Sequence, residues 1–128
     1  MIRSAQNRLE ELEDTFIYWI EKDRPDKVKQ FLSCGYSVNS CLASKRRRLW
    51  DTNCFTVLAL ASYAGSFGVV DYLLGNGARV NETDKSLCRA PLHWSVASRN
   101  FAMTKLLIDA GKFFFFFLEF FISEFNSF

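Results

Sequence analysis

The sequence predicts an all-α fold in which short helix-turn-helix units stack into a solenoid and are joined by short hairpin-like loops. Three observations predict it. One segment of the 128-residue chain recurs three times with variation, over 16–39, 56–81 and 90–112. Each copy has apolar residues at helical spacing. In each copy a glycine closes the helix, at intervals of 42 and then 34 residues: Gly35, Gly77 and Gly111. A period of about 33 residues is typical of solenoid repeats.

An amphipathic helix is predicted at the start of the chain, running into the first copy. Its apolar residues alternate at intervals of three and four and therefore share one face: Ile2, Ala5, Leu9, Leu12, Phe16 and Trp19. We expect this helix to cover the exposed end of the stack, because terminal repeats need a cap. A dimeric coiled-coil seam is the alternative. Pro25 suits the first position of the next helix, where the missing N–H has no partner to lose.

The second and third copies each predict two antiparallel helices. In the second copy the turn falls at Ala64 and Gly65, and Gly77 is expected to end the second helix in the left-handed conformation. In the third copy Pro91 marks the first helical position. The residues predicted to be buried are Leu58, Leu60, Ala61, Val69, Val70, Leu73 and Leu74 in the second copy, and Leu92, Val96, Met103, Leu106, Leu107 and Ile108 in the third. Helices this short are unstable alone, so the copies must stack.

The strings GVVDYLLGNGARVNETD (68–84), APLHWSVA (90–97) and KLLIDAG (105–111) resemble the ankyrin repeat. That family's pattern includes T-P-L-H before the first helix and V-V-x-L-L-L-x-x-G-A-D-V-N in the second helix and loop. The resemblance implies an ankyrin-type solenoid over 1–112, with repeats at about 12–40, 51–83 and 84–112 and an insertion at 40–50.

The T-P-L-H element is incomplete in both well-preserved copies. In the family, its Thr and His form hydrogen bonds that tie the turn before the first helix. The second copy keeps Thr56 without the His, and the third keeps His93 but has Ala90 in place of the Thr. We expect a structural role for His93, and repeats weaker than the family's by about one hydrogen bond, or 0.5–1.5 kcal/mol.

The resemblance also implies a protein-protein interaction scaffold or adaptor that binds a partner protein through its loops and concave helix face. The candidate partner-binding residues are those the pattern leaves exposed. They are Arg79, Glu82, Lys85 and Arg89 on the loop between the second and third copies, and Tyr63 and Ser98 at the open ends of the first helices. Aromatic residues and arginines are enriched in binding hot spots.

A basic run in the insertion supports a different function. Lys45, Arg46, Arg47 and Arg48 could bind phosphate or direct nuclear import. A nuclear or nucleic-acid-associated factor is therefore the alternative, and a recognition loop for an acidic protein or an ordinary solvated loop is also open. Since the net charge is only +2, a nucleic-acid partner is not expected from charge alone.

Composition and the lack of catalytic or targeting motifs predict a folded domain without enzymatic activity. Apolar residues make up 49% of the chain and charged residues 23%, which is typical of a folded domain. The single His and the absence of a phosphate loop, a paired-carboxylate site or a nucleophile with its base predict no enzyme, no cofactor and no metal site. The four cysteines have no metal-ligand spacing and are expected to be reduced. With no signal-peptide pattern at the start, we expect a cytoplasmic protein, with the nucleus second.

The last residues, 113–128, form a Phe-rich tail without repeat character. Glu119 and Glu124 interrupt it, and it is shorter than the roughly 20 apolar residues of a spanning helix, so no membrane span is expected. The family pattern stops at Gly111. The tripeptide Gly-Lys-Phe can be encoded by GGT AAG TTT, which contains a typical intron start. One hypothesis is therefore that the chain is a truncated or mis-spliced fragment without independent function.

Overall fold

A computed structural model describes residues 2–42, 55–83 and 89–111. These residues form six helices: α1 (Ile2–Glu21), α2 (Pro25–Ser33), α3 (Val57–Ala64), α4 (Phe67–Gly75), α5 (Pro91–Ala97) and α6 (Phe101–Ala110). Two short strands, β1 (Cys41–Leu42) and β2 (Phe55–Thr56), pair antiparallel, with Cys41 opposite Thr56 and Leu42 opposite Phe55. The predicted helical class is confirmed, with this small sheet as an addition.

The helices form three consecutive hairpins, α1–α2, α3–α4 and α5–α6. The first helices of the hairpins also pack side by side, with α3 between α1 and α5, and α2 contacts α4. Each hairpin therefore covers the next, as a solenoid requires. The shared core draws on all three copies, from Phe16 and Ile20 in α1 through Leu60 and Leu73 to Met103 and Leu107 in α6.

The predicted helix starts are confirmed at both prolines. Pro25 and Pro91 are the first residues of α2 and α5. Helix α3 has no proline at its start and is capped by Thr56, the residue before it. The Oγ1 of Thr56 accepts a hydrogen bond from the N–H of Ala59 at 3.1 Å. Before α5, the N–H of Ala90 donates to Nδ1 of His93 at 3.0 Å. The second repeat therefore has the hydrogen bond of the Thr, and the third has that of the His. The predicted structural role of His93 is confirmed.

All three glycines lie at helix ends as predicted, and two of them have positive φ. Gly35 and Gly77 have φ of +111° and +85°. After α4, the N–H of Ala78 donates to the carbonyl of Leu73 and that of Gly77 to Leu74, which is the Schellman pattern. Gly111 differs, with φ of −99°. Its N–H donates to the carbonyl of Leu107, the bond of a regular helix, so Gly111 ends α6 without a left-handed residue.

The first helix of each hairpin ends in the same way, and this was not predicted beyond Gly65. Asp23, Gly65 and Arg99 are spaced as the three glycines are, and all have positive φ, of 54°, 74° and 59°. After α5, the N–H of Asn100 donates to Ser95 and that of Arg99 to Val96, again the Schellman pattern. Two non-glycine residues therefore occupy a conformation that glycine adopts at lower cost.

The predicted buried residues are confirmed in most of the stack, with Val96 as the clear exception. Val96 is 55% exposed, whereas Trp94, two residues earlier, is fully buried. Two residues correspond to about 200° around a helix. Because Trp94 takes the buried face of α5, Val96 lies on the opposite one.

Only part of the apolar stripe predicted to cap the stack is buried. Helix α1 is continuous and Phe16 is buried, but Leu9 and Leu12 are 57% and 47% exposed. The expectation that this stripe covers the end of the stack is wrong for these two residues. The reason is length: α1 has 20 residues and spans about 30 Å, while α2 has 9 and spans about 14 Å. The first turns of α1 therefore extend past the end of α2.

The expectation of reduced cysteines is wrong for Cys41, which is disulfide-bonded, whereas Cys34 is a free, exposed thiol. Cysteine spacing gave no sign of this bond. Cys41 lies in β1, and its surroundings depend on the pairing of β1 with β2 rather than on neighbouring sequence.

Candidate partner-binding surface

Two of the predicted binding residues meet on one buried indole. Helix α3 places Tyr63 and helix α5 places Trp94 at the packed α3–α5 boundary. The two rings meet edge to face at 5.9 Å and 90°. The Arg89 guanidinium, just before α5, lies 5.4 Å from the centre of the Trp94 ring. We call Tyr63, Arg89 and Trp94 the Trp94 cluster; Tyr63 and Arg89 are half-buried and Trp94 is fully buried.

Among the residues that the structure describes, the buried indole N–H of Trp94 has no hydrogen-bond partner. A buried donor without a partner costs about 1–3 kcal/mol. The contacts with Tyr63 and Arg89 hold the ring despite this cost, since aromatic pairs and cation–π contacts each stabilise by about 0.5–1.5 kcal/mol. Trp94 was not predicted as a site residue. The available signal was a large aromatic directly after the His of the A-P-L-H element.

Arg79 and Glu82 form a separate pair on the loop after α4. Their side chains meet at 3.5 Å (Nη1 to Oε2) and are 70% and 40% exposed. An exposed ion pair of this kind contributes little to stability. The Arg79 backbone is better fixed, because its N–H donates to Oδ1 of Asn39 at 2.8 Å. The first repeat therefore positions this loop of the second, while both charged groups stay accessible.

The other predicted residues join neither group. Ser98 follows the last residue of α5, and its hydroxyl donates to the carbonyl of Ser95 at 2.9 Å, so it is engaged within its own repeat. Lys85 lies outside the described residues. The basic run, Lys45, Arg46, Arg47 and Arg48, lies outside them too, and its role in nucleic-acid binding stays a prediction.

A second group of aromatic and basic side chains lies on the first repeat and was not predicted. Arg24 and Lys27 lie 5.6 and 5.5 Å from the centre of the Trp19 ring, and Lys22 lies 5.6 Å from that of Tyr18. Arg24 also donates to both carboxylate oxygens of Asp26, and this holds the pKa of Asp26 below its ordinary value. The cations lie against the rings, which leaves these aromatic faces less open for stacking with a nucleobase.

The described ranges contain no group of three or more His, Cys, Asp or Glu that could hold a metal ion. None of the helices in those ranges combines the length and apolar character that a membrane span requires. The Phe-rich tail, 113–128, and the hypothesis attached to it fall outside the described residues.

Comparison with known proteins agrees with the repeat architecture. No curated protein matches the chain significantly. The family model described as ankyrin repeats (three copies) matches residues 16–114. That range covers most of the chain and takes in the last residues of α1 and the whole of α2 to α6. The chain therefore belongs to the ankyrin repeat family.

Proposed function

We propose that this protein is a scaffold that binds a partner protein through the Trp94 cluster and the Arg79–Glu82 loop. Ankyrin repeats are generally protein-protein interaction modules, and the family is typically non-enzymatic. The observation that carries the proposal is the placement of Tyr63 and Arg89 against a fully buried Trp94.

The Trp94 cluster has the properties of a binding hot spot. Hot spots are enriched in Trp, Tyr and Arg and work best where side chains are already ordered before binding. Tyr63 and Arg89 are held by ring contacts in the free protein, so a partner would lose less side-chain entropy on ordering them. Both side chains remain partly exposed.

The Arg79–Glu82 loop adds charge of both signs beside the repeats. Such exposed charges affect the association rate and partner choice more than the affinity. We therefore expect the Trp94 cluster to supply most of the binding free energy and the loop to supply selectivity.

The test begins with capture of partners on the full-length chain from cells that express it, by proximity labelling followed by affinity measurement on the purified pair. We expect Arg89→Ala and Tyr63→Ala each to raise the Kd about fivefold or more, as hot-spot truncations do. Lys105→Ala, an exposed basic residue on α6, is the matched control and should leave the Kd unchanged.

Two results would contradict the proposal. One is a Kd that neither cluster variant changes while both variants keep the wild-type far-UV circular dichroism spectrum. The other is a loss as large in Lys105→Ala as in Arg89→Ala, because binding would then follow positive charge in general. To test the alternative function, the four basic residues from Lys45 to Arg48 are replaced by alanine; nucleic-acid binding that persists unchanged, or that is insensitive to salt, excludes that route.

A further inference from the structure

The first helix of each hairpin has two rows of side chains that face opposite ways along the stack. Residues at equivalent positions are separated as the three closing glycines are, by 42 and then 34 residues. One row faces the preceding repeat. It contains Leu60 and Trp94, which are buried, and Tyr18 of α1, which is exposed because no described repeat precedes it.

The other row faces the following repeat, and its members are buried wherever that repeat is present. Ile20 of α1 and Ser62 of α3 hold one such position, and both are fully buried. The equivalent residue of α5 is Val96, which is 55% exposed. No hairpin follows α6 in the part of the chain that the structure describes. The exposure of Val96 therefore marks an uncovered end of the stack.

Two further comparisons give the same result. Ala59 of α3 is buried, whereas its equivalent in α5, His93, is exposed. At the start of the second helices, Phe67 of α4 is 39% exposed and Phe101 of α6 is 79% exposed. The same side of the hairpin is less covered in the third repeat at each of these positions. We call the surface formed by His93, Val96 and Phe101 the α5–α6 end face.

The α5–α6 end face is apolar where the open end of a solenoid is normally polar. Terminal repeats carry a polar outer face, because no further repeat covers it. Here the second repeat has Ser62 at the covered position, and the third has Val96 at the open one. Phe101 adds an aromatic ring to the same side of the hairpin. Removing these two apolar side chains from water is favourable in proportion to the area covered.

The chain itself supplies an apolar segment next to this face. Residues 112–128 follow directly on Gly111, the buried residue that ends α6. The Phe-rich tail, 113–128, contains nine Phe together with Leu118 and Ile122, so eleven of its sixteen residues are apolar. The tail therefore matches the α5–α6 end face in chemical character.

The tail is also long enough to cross the face. Helix α6 has ten residues, so about 15 Å separate its end at Ala110 from its start at Phe101. The sixteen residues of the tail span about 24 Å as a helix and about twice that when extended. Because the tail is covalently joined to α6, its local concentration at the face is on the order of 1 mM. This favours the tail over a second copy of the chain in dilute solution.

We propose that the Phe-rich tail folds back over the α5–α6 end face and covers Val96 and Phe101, as a further repeat would. This cover leaves the Trp94 cluster open, because Trp94 belongs to the row that faces α3 and the end face shares no residue with the cluster. The contact lies within one chain and is independent of the proposed partner binding.

Photo-crosslinking in the full chain tests what lies on the end face. Phe101→p-benzoylphenylalanine places the probe there, and Tyr18→p-benzoylphenylalanine, at an exposed aromatic residue of α1, is the matched control. Trypsin cleaves after Lys112 and at no later residue, so the whole tail is recovered as one peptide. Because the tail is concentrated at the end face, we expect the first probe to join that peptide at least about fivefold more often than the second.

Mixing isotope-labelled and unlabelled chains separates contact within a chain from contact between chains. A crosslink within one chain joins two peptides of the same isotope. Random contact in an equal mixture joins unlike isotopes as often as like ones. We expect products of like isotope to dominate when the probe is at position 101.

Val96→Asp, introduced together with the probe at position 101, tests the cover itself. A carboxylate at this position would lose its water when the tail covers it, so the yield of tail crosslinks should fall at least about fivefold. Leu9→Asp on α1, where Leu9 is exposed to a similar degree, is the control and should leave the yield unchanged. Because both positions are about half-exposed on their helices, both variants should keep the wild-type circular dichroism spectrum.

Four results would overturn the proposal. The first is a yield of tail crosslinks at position 101 no higher than at position 18, since the tail would then contact apolar surface without preference. The second is a product mixture in which unlike isotopes are as frequent as like ones, which would assign the face to a second copy of this chain. The third is a yield that Val96→Asp leaves unchanged. The fourth is an equal loss in Leu9→Asp, because the effect would then follow from added charge anywhere on the stack.

Discussion

Asp23 of the first repeat caps a helix of the second: its Oδ1 accepts a hydrogen bond from the N–H of Val69 in α4 at 2.9 Å. Ser66, which precedes α4, does not cap its own helix, and its hydroxyl instead donates to the carbonyl of Ile20 at 2.5 Å. Two hydrogen bonds therefore join the repeats here, and in both of them the second repeat donates and the first repeat accepts. Gly68 permits the approach, since a Cβ there would lie 3.1 Å from Asp23 Oδ1.

The first prediction concerns the bond between Asp23 and Val69. Asp23→Ala should lower the free energy of unfolding by about 1–2 kcal/mol, because the cap of α4 is lost and alanine is poorly suited to positive φ. Asp23→Asn should lose much less, because asparagine retains an acceptor and tolerates that conformation. Asp71→Ala, on an exposed face of α4, is the control and should stay within about 0.5 kcal/mol. Urea unfolding measures all three, and an asparagine variant as unstable as the alanine variant would contradict the cap.

The second prediction concerns the end of α5. Arg99 is exposed and has φ of +59°. Arg99→Gly should stabilise the protein by about 0.5–1 kcal/mol, because glycine reaches positive φ without the Cβ penalty of other residues. Arg99→Ala also removes the charged side chain but keeps the Cβ that disfavours positive φ, so it should not stabilise the protein. Thermal unfolding would distinguish them, and equal melting temperatures for the two variants would contradict the assignment.

At the equivalent position in the second repeat, we expect a substitution to lower the stability. Gly65 has φ of +74°, and a Cβ there would lie 3.0 Å from Nδ2 of Asn100. Gly65→Ala should therefore destabilise the protein by more than about 1 kcal/mol. The contact joins the second and third repeats, so the loss should be accompanied by weaker capping of α6, where Asn100 Oδ1 accepts from the N–H of Met103 at 3.1 Å. Unchanged amide exchange at Met103 would argue against that coupling.

A pH prediction follows from Tyr36. Burial raises the pKa of Tyr36 above its ordinary value, and the negative charge of Glu13 adds to this. Folding thus favours the neutral phenol. Its contribution to stability is fully present below about pH 10, the ordinary tyrosine pKa, and is lost as pH rises further. Urea unfolding of wild type and Tyr36→Phe between pH 9 and 11 checks this, about a unit either side of that value. The wild type should lose more stability over the interval, and parallel curves would contradict the prediction.

The last prediction concerns the different reactivity of Cys34, which is a free thiol, and Cys41, which is disulfide-bonded. Alkylation of the folded chain without reductant, followed by peptide mass spectrometry, should modify Cys34 and spare Cys41. After reduction and unfolding, both should react. Alkylation of Cys41 before reduction would contradict the disulfide and restore the expectation of reduced cysteines drawn from the sequence.

Most of the helical architecture could be predicted because its signals are local. Pro25 and Pro91 fix φ and lack an N–H, so they favour the first helical position regardless of what packs nearby. Gly77 adopts positive φ because glycine has no Cβ, whatever packs around it. The buried stripes of α3 and α4 follow from the helical period alone.

The candidate site was predicted only in part. Tyr63 and Arg89 were selected separately as exposed residues, but their common contact with Trp94 depends on the stacking of α3 on α5. Val96 was assigned to the core because periodicity cannot show which of two apolar residues on α5 faces the neighbouring repeat. The exposure of Leu9 and Leu12 likewise depends on how far α2 extends along α1.

The amino-acid sequence by itself determined the repeat period, the type of each helical unit and the family, because these rest on residue-level preferences that recur in every copy. Only the tertiary structure decided which side chains from different repeats meet, as with Asp23 at Val69 and Arg89 at Trp94. The physical reason is that such contacts depend on the distance and rotation between stacked hairpins, which follow from the packing of the whole core and from no single stretch of chain.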